Sequence, residues 1–429
     1  MSDQFYGATN IHPIGAIALI IAVVAVLTSR RELIPVVFIS ILAAFPAAQR
    51  MVVGSLDFNF VRILVLAILA RAWARGEHRS LVWLKVDTTL VMWAVWAVLA
   101  YGWLYDSLAA LVTRSGYMIE CIGAYLAARI YIRNTDDVIR VGRALGTLSI
   151  PMLAFFFFER QTGRNPFSVF GGVPEYTLVR EGRMRCQGPF SHPIMAGVFW
   201  AYAFIYLVGL ARAKLLPMAR TMPGIVCSLL IVANTASSTP AMAVVFALFG
   251  FFLYRFRHLL RHMLWALAGG LAFAHLMMNK PVWHLIARVN IFSGSTGWHR
   301  YHLIDQAVAR FDEWFLVGTV STAHWGAGLL DVTNQFVLEG VRAGFLGLVL
   351  FVTFYIRCFN LIGTGIKTAG SESQRQIAWA MGVIVFVTVG NFLAVSYFGQ
   401  VVGALHFFLG MAVAIAFSIA GSGKTGSVR

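Results

Sequence analysis

Thirteen apolar runs separated by short polar breaks dominate the chain, at 14–28, 33–48, 56–74, 86–104, 107–128, 144–159, 192–211, 222–237, 240–256, 263–279, 338–357, 377–396 and 400–420. A membrane-spanning helix needs roughly 20 mostly apolar residues. The pattern therefore predicts an all-α polytopic membrane protein with about 12–13 transmembrane helices. The first run follows the polar start MSDQFYGATN and precedes Arg30 and Arg31, which reads as a first spanning helix rather than a cleavable signal. No stretch outside the runs is long enough to bury a core of its own, so residues 1–429 are expected to form one integral membrane domain. Two connections stand out by length, about 160–191 and about 280–337. Most connections in compact folds are a few residues, so long ones need a reason. The second is expected to be partly helical, because HRYHLIDQAVARF spaces Leu303, Ile304, Ala307, Val308 and Phe311 at helical intervals.

Charge orients this pattern. The chain is 59% hydrophobic and 12% charged with a formal net charge of +16, and in a membrane protein basic residues are first tested against cytoplasmic loop placement. Clusters at Arg30 and Arg31, Arg71 to Lys85, Arg129 to Arg143, Arg212 to Arg220, Arg255 to Arg261 and Arg357 to Arg375 all fall on one side of the predicted helices. That side is expected to be the cytoplasm, with a flexible tail at about 421–429 on the same side and both long loops outside. Nucleic acid is not an expected partner. Cys121, Cys186, Cys227 and Cys358 have no metal or disulfide spacing, so no metal site is expected. The tail GSGKTGS lacks the first glycine, the strand and the helix of a phosphate-binding loop.

The long loops carry the candidate chemistry. REGRMRCQGPFSHP places Arg180, Arg183 and Arg185 within six residues, on the face where basic residues are disfavoured. Guanidinium groups stay charged and donate paired hydrogen bonds, which suits a phosphate or diphosphate. The plain alternative is a loop resting on lipid headgroups. Gly188, Pro189 and Pro193 favour a rigid approach to the next helix. Arg300, in GSTGWHRYH, is a second candidate anion ligand. Arg62, Arg114 and Glu120 are intramembrane or interfacial charges of the kind that face polar cavities, and the spacing of Arg114 and Glu120 puts them on different helix faces. His324 and Asp331, in STAHWGAGLLDVTNQ, are candidates for a general base.

Three segments resemble the O-antigen ligase and polysaccharide polymerase superfamily of bacterial inner-membrane glycosyltransferases. Arg185 followed by Gly188, Pro189, Phe190, His192 and Pro193 is similar to the family's approach to a helix. Ser237, Ser238 and Thr239 resemble its small polar turn between two spans. GSTGWHR and GLLDVTNQFVLEGVRAGFLGL resemble its large periplasmic loop and the exit from it, with Asn334 before a helix that starts rich in glycine. The resemblance implies an undecaprenyl-diphosphate-linked glycan as donor, bound by Arg185 and Arg300, and Arg180, Arg183, Arg62 and Asn334 are expected as further binding residues beside them. It implies transfer with inversion at the periplasmic face of the inner membrane, needing no cofactor. The ligases carry a histidine where Thr333 stands, which leaves Asp331 or His324 as the base and favours a polymerase of lipid-linked repeat units. The alternatives are a ligase that moves finished glycan to a lipid or protein acceptor, and a transporter of lipid-linked or anionic solutes. Membrane lipids, a glycan or lipid acceptor and other polysaccharide assembly proteins are the expected partners.

Overall fold

Each apolar run becomes one helix, with ends set by local caps and glycines rather than by the limits of hydrophobicity. The computed structural model describes residues 8–288 and 297–425. Its first half contains α1 (Pro13–Thr28), α2 (Ile34–Ala44), α3 (Phe60–Ala74), α4 (Lys85–Tyr105), α5 (Leu108–Tyr131), α6 (Thr135–Thr162) and α7 (Pro193–Arg212). The second half contains α8 (Met218–Asn234), α9 (Ser238–Leu253), α10 (Leu260–Met277), α11 (Gly297–Ala309), α12 (Phe311–Trp314), α13 (Gln335–Thr368), α14 (Glu372–Phe392) and α15 (Gln400–Thr425). His12, Asn59, Asn134, His192, Asn334 and Ser371 cap α1, α3, α6, α7, α13 and α14 through their side chains, satisfying amides that a first turn leaves open. The helix α15 runs on through Gly421 to Thr425 of the expected tail; residues 426–429 lie outside the described residues, as do Gly294, Ser295 and Thr296 of GSTGWHR.

Among the described residues, seven helices are long and apolar enough to cross a membrane: α4, α6, α7, α9 with the turn after it, α13, α14 and α15. They make the chain a helical, polytopic membrane protein. A helix that is hydrophobic all round belongs in the centre of a bundle. Accordingly, 83% of the apolar window of α7 and 89% of that of α15 is buried, α15 against α5, α13 and α14, and α7 against α8, α9 and α14.

Short strands interrupt the helical pattern. The run at 56–74 begins as a hairpin strand, because Leu56, Asp57, Phe58 and Asn59 alternate apolar and polar before Asn59 caps α3. β1 (Arg50–Val53) pairs antiparallel with β2 (Leu56–Asn59). In the first long loop, β3 (Leu178–Arg180) pairs with β4 (Arg183–Arg185). The second long loop holds the expected helix as α11 and has its own apolar core, in which Leu303, Trp314, Trp325 and Leu329 meet Leu338 and Val341 of α13.

The basic clusters gather at one end of the bundle and are tied down there. The Arg129 guanidinium donates to both Asp87 oxygens at 3.2 and 3.0 Å, and Arg71 to both Glu77 oxygens at 3.1 and 3.0 Å. Asp87 and Arg129 are both buried. Removing one partner of such a pair leaves an uncompensated buried charge, so Asp87→Ala is expected to cost about 3–5 kcal/mol. A lower midpoint in thermal unfolding of detergent-purified protein, with Arg129 and Asp87 both replaced by apolar residues as a milder control, checks this.

One helix is broken on purpose. At Gly344 the backbone of α13 turns to φ +68°, a left-handed conformation costly for residues with a Cβ. The Leu316 carbonyl occupies the space a Cβ would need. Loop and helix are stitched together there: Phe345 N donates to Phe315 O and Thr319 N to Val341 O, both at 2.8 Å. The indole of Trp96 donates to Ala343 O, also at 2.8 Å.

Candidate functional site

The end opposite the basic clusters holds a cavity of about 2960 Å³. Its walls come from the β1–β2 hairpin, the inward ends of α3 and α5, the β3–β4 hairpin, the α8–α9 turn, the start of α11, the stretch around Asp331 and the α14–α15 connection.

The β3–β4 hairpin explains the arginine cluster. Glu181 (φ +53°) and Gly182 (φ +72°) form its two-residue turn, the left-handed pair that matches strand twist. Leu178 stands opposite Arg185, and Arg180 opposite Arg183. Opposed residues, and residues two apart, project from the same side of a pleated pair. Arg180, Arg183 and Arg185 therefore share one face of the hairpin, and all three line the cavity.

A residue overlooked in the sequence holds the base of this hairpin. The Glu159 carboxylate, fully buried near the end of α6, accepts from Gln187 N at 3.1 Å and from Gly188 N at 2.9 Å. Gly188 takes φ +53° and packs so closely on Phe156 that no side chain fits. Cys186 N donates to Asn234 O at 3.1 Å, and Arg185 Nη2 donates to Ser237 Oγ at 2.8 Å. The small polar turn at Ser237 thus positions the Arg185 guanidinium. The only local signal for Glu159 was a carboxylate at the end of an apolar run.

Arg300 reaches the same cavity from the first turn of α11. Burial lowers the pKa of both Arg185 and Arg300 from the ordinary arginine range, and in each case the charge of Arg180 adds to the effect. Three guanidinium groups from two distant loops therefore act on one region of space. The Nε atoms of Arg185 and Arg300, with Ser191 Oγ and Thr333 Oγ1, are buried in the cavity wall without a protein partner. Buried polar atoms are rarely left so, and a cluster of them marks a place for a ligand. His192 is held neutral beside them: burial, and secondarily Arg185, pushes its pKa down to about 4, while Nδ1 accepts from Ile194 N at 3.1 Å.

Asp331 lies in the same wall, exposed to the cavity and held by a turn in which its amide donates to Gly328 O at 3.3 Å. His299 also lines the cavity, with Nε2 at 3.2 Å from the backbone oxygen of Asp331. The sequence singled out Arg300 but passed over His299 beside it.

The remaining candidates divide. Arg62 lines the cavity, bound to Glu120 at 2.6 Å. Arg114 pairs with Glu339 at 3.4 Å, so Arg114 and Glu120 have separate partners, as their spacing implied. Asn334 is buried outside the cavity wall, its Oδ1 accepting from Phe336 N at 2.9 Å and Val337 N at 3.1 Å. Its amide caps α13. His324 also lies outside the wall, with Nε2 at 2.8 Å from Glu313. Hydrogen bonds from Trp325, Arg310 and His324 hold the Glu313 carboxyl down at about 2. His324 closes this loop contact instead of facing the cavity.

Fold and site together define a polytopic helical membrane protein with a large cationic cavity at one end of its bundle. No family model matches the chain, and no curated protein matches it significantly.

Proposed function

We propose that this protein polymerises a lipid-linked oligosaccharide, moving glycan from undecaprenyl diphosphate to a hydroxyl of the next repeat unit. The observation that carries the reading is the convergence of Arg180, Arg185 and Arg300 on one cavity that also presents Asp331. In this reading 12–13 helices span the bacterial inner membrane, the basic end faces the cytoplasm and the cavity faces the periplasm.

The chemistry follows from the arrangement. Arg185 and Arg300 bind the two phosphates of the donor at the membrane boundary while its polyprenyl chain stays in lipid. Asp331 accepts the proton of the acceptor hydroxyl as that oxygen attacks the anomeric carbon. The new carbon–oxygen bond forms on one face of the sugar. The old one breaks on the other, its electron pair leaving with the diphosphate, so the anomeric centre inverts. Charge growing on the departing oxygen is met by guanidinium groups already in place, the effect that usually contributes most to such a transfer.

A transport path would have to continue to the opposite end of the bundle. There the buried pair Arg129–Asp87 ties α5 to α4, Glu77 accepts from both Arg71 of α3 and Tyr131 of α5, and none of these residues lines the cavity. A deletion strain complemented with wild type or Arg185→Ala tests the proposal. Single lipid-linked repeat units accumulating without long chains would support a polymerase. Long chains left on their lipid carrier would make it a ligase, and an unchanged glycan profile would overturn the transferase reading.

A further inference from the structure

The two loops that carry the candidate chemistry are joined through a third segment. Residues 394–400 lead from α14 into α15, and all of them line the cavity. Residues 395–398 lie in no helix or strand, so side chains from other segments must fix their course. At one end the connection is fastened to the start of α13, just after Asp331. Asn334 Nδ2 donates to Leu393 O at 3.4 Å, and Tyr397 N donates to Gln335 Oε1 at 2.8 Å. Gln335 is buried and itself fixed: its Nε2 donates to Glu339 Oε1 at 2.8 Å, and Glu339 accepts from Trp93 at 3.3 Å and from Arg114 at 3.4 Å.

At the other end the connection is fastened to the approach to α7, just after Arg185. Gln400, also buried, donates from Nε2 to Pro189 O at 2.9 Å and to Phe45 O at 3.2 Å. Gly399 takes φ +64° and packs so closely on Ser191 that a Cβ would lie 2.8 Å from its Oγ. The Phe398 ring meets the His192 ring edge-on, 6.1 Å between centres. Between the two ends the Tyr397 hydroxyl is pinned by Asn391 at 3.1 Å and by Tyr202 at 2.9 Å, which stiffens the connection. The two glutamines bond to main chain from segments far away in sequence, so they fix position and supply no chemistry of their own.

We infer that Gln335 and Gln400 are positioning residues, and that the connection between them is a strut that fixes the span from Arg185 to Asp331. The inference rests on the transferase reading and adds to it how the anion grip and the base are kept in register. The diphosphate at Arg185 and the hydroxyl facing Asp331 lie on opposite faces of one sugar carbon. The span between the two residues therefore decides whether attack is in line. Misplacement of reacting groups by about 1 Å costs about 10²-fold in rate.

The test uses full-length protein in phosphatidylcholine nanodiscs with lipid-linked glycan purified from a deletion strain. Gln335→Met and Gln400→Met keep the length of the side chain and remove its amide. Each is expected to lower kcat about tenfold, with KM for the donor changed by less than about twofold. Independent losses would multiply to about 100-fold in the double variant, whereas a shared strut, once broken, leaves it within about threefold of the slower single variant. Gly399→Ala keeps both glutamines and presses on Ser191; it is expected to lower kcat in the same way and serves where Gln400→Met folds poorly. A second readout needs no substrate. Spin labels at Val179→Cys, beside Arg180, and Leu330→Cys, beside Asp331, both exposed, report the span in a Cys227→Ser background. Gln400→Met is expected to shift or broaden their distance distribution in pulsed electron paramagnetic resonance. Normal kcat, multiplied losses or an unchanged distance distribution each overturns the strut, while the arginines keep their role. Normal transfer by Arg185→Ala overturns the transferase reading, and the catalytic role of the strut with it, even where the distance has shifted.

Discussion

Arg185→Ala and Arg300→Ala are each expected to reduce transfer by about 10²–10³-fold, the loss seen when one fixed donor to developing negative charge is removed. The two residues come from loops more than a hundred positions apart, yet Arg180 acts on both. A variant of either should still fold, because neither guanidinium holds the bundle together: among the described residues the Arg185 guanidinium has one polar contact, to Ser237, and Arg300 reaches into the cavity. Lysine is expected to restore less than half of the activity at either position, since it offers a point charge in place of a planar fork. Sizing surface polysaccharide on gels, together with quantifying protein in the membrane fraction, separates lost chemistry from lost protein. Full-length chains from Arg300→Glu would remove that residue from the mechanism.

Asp331→Asn should cost about 10²–10⁴-fold in kcat, the range for loss of a positioned general base. KM for the donor should hardly move, because the proposed diphosphate ligands Arg185 and Arg300 are left unchanged. Asparagine keeps the size of the side chain, and the local turn is made by the Asp331 amide and by its backbone oxygen with His299. The geometry is thus preserved while the proton acceptor is lost. Single-turnover assays on lipid-linked glycan distinguish a slow chemical step from weak binding. Near-normal turnover would shift attention to His299, whose ring lines the same cavity.

The helices were legible because spanning segments must satisfy their own backbone and face either lipid or one another. Thirteen apolar runs gave thirteen helices, even for α10, which buries none of its residues. The hairpins were less visible: Leu56 to Asn59 belongs to an apolar run, and only the turn residues Glu181 and Gly182 betray β3 and β4. Arg185 and Arg300 could be named from local pattern, since each sits in a polar stretch of unusual charge. That His324 and Asn334 lie outside the cavity wall could not be read that way, because the contacts that occupy them, Glu313 and the first turn of α13, depend on how the second loop folds over the bundle. Glu159 escaped notice for the opposite reason, as a single charge at the end of an apolar run whose partners, the Gln187 and Gly188 amides, appear only in three dimensions.

The break at Gly344 also bears on how the chain is built. The Val341 and Ala343 carbonyls are satisfied by Thr319 and Trp96, and the Phe345 amide by Phe315. Unsatisfied backbone groups at membrane depth are too costly to persist. The break in α13 is therefore satisfied only when Trp96 of α4 and residues 315–319 are docked against it. The final shape of α13 thus depends on the loop that carries Asp331 as much as on its own sequence.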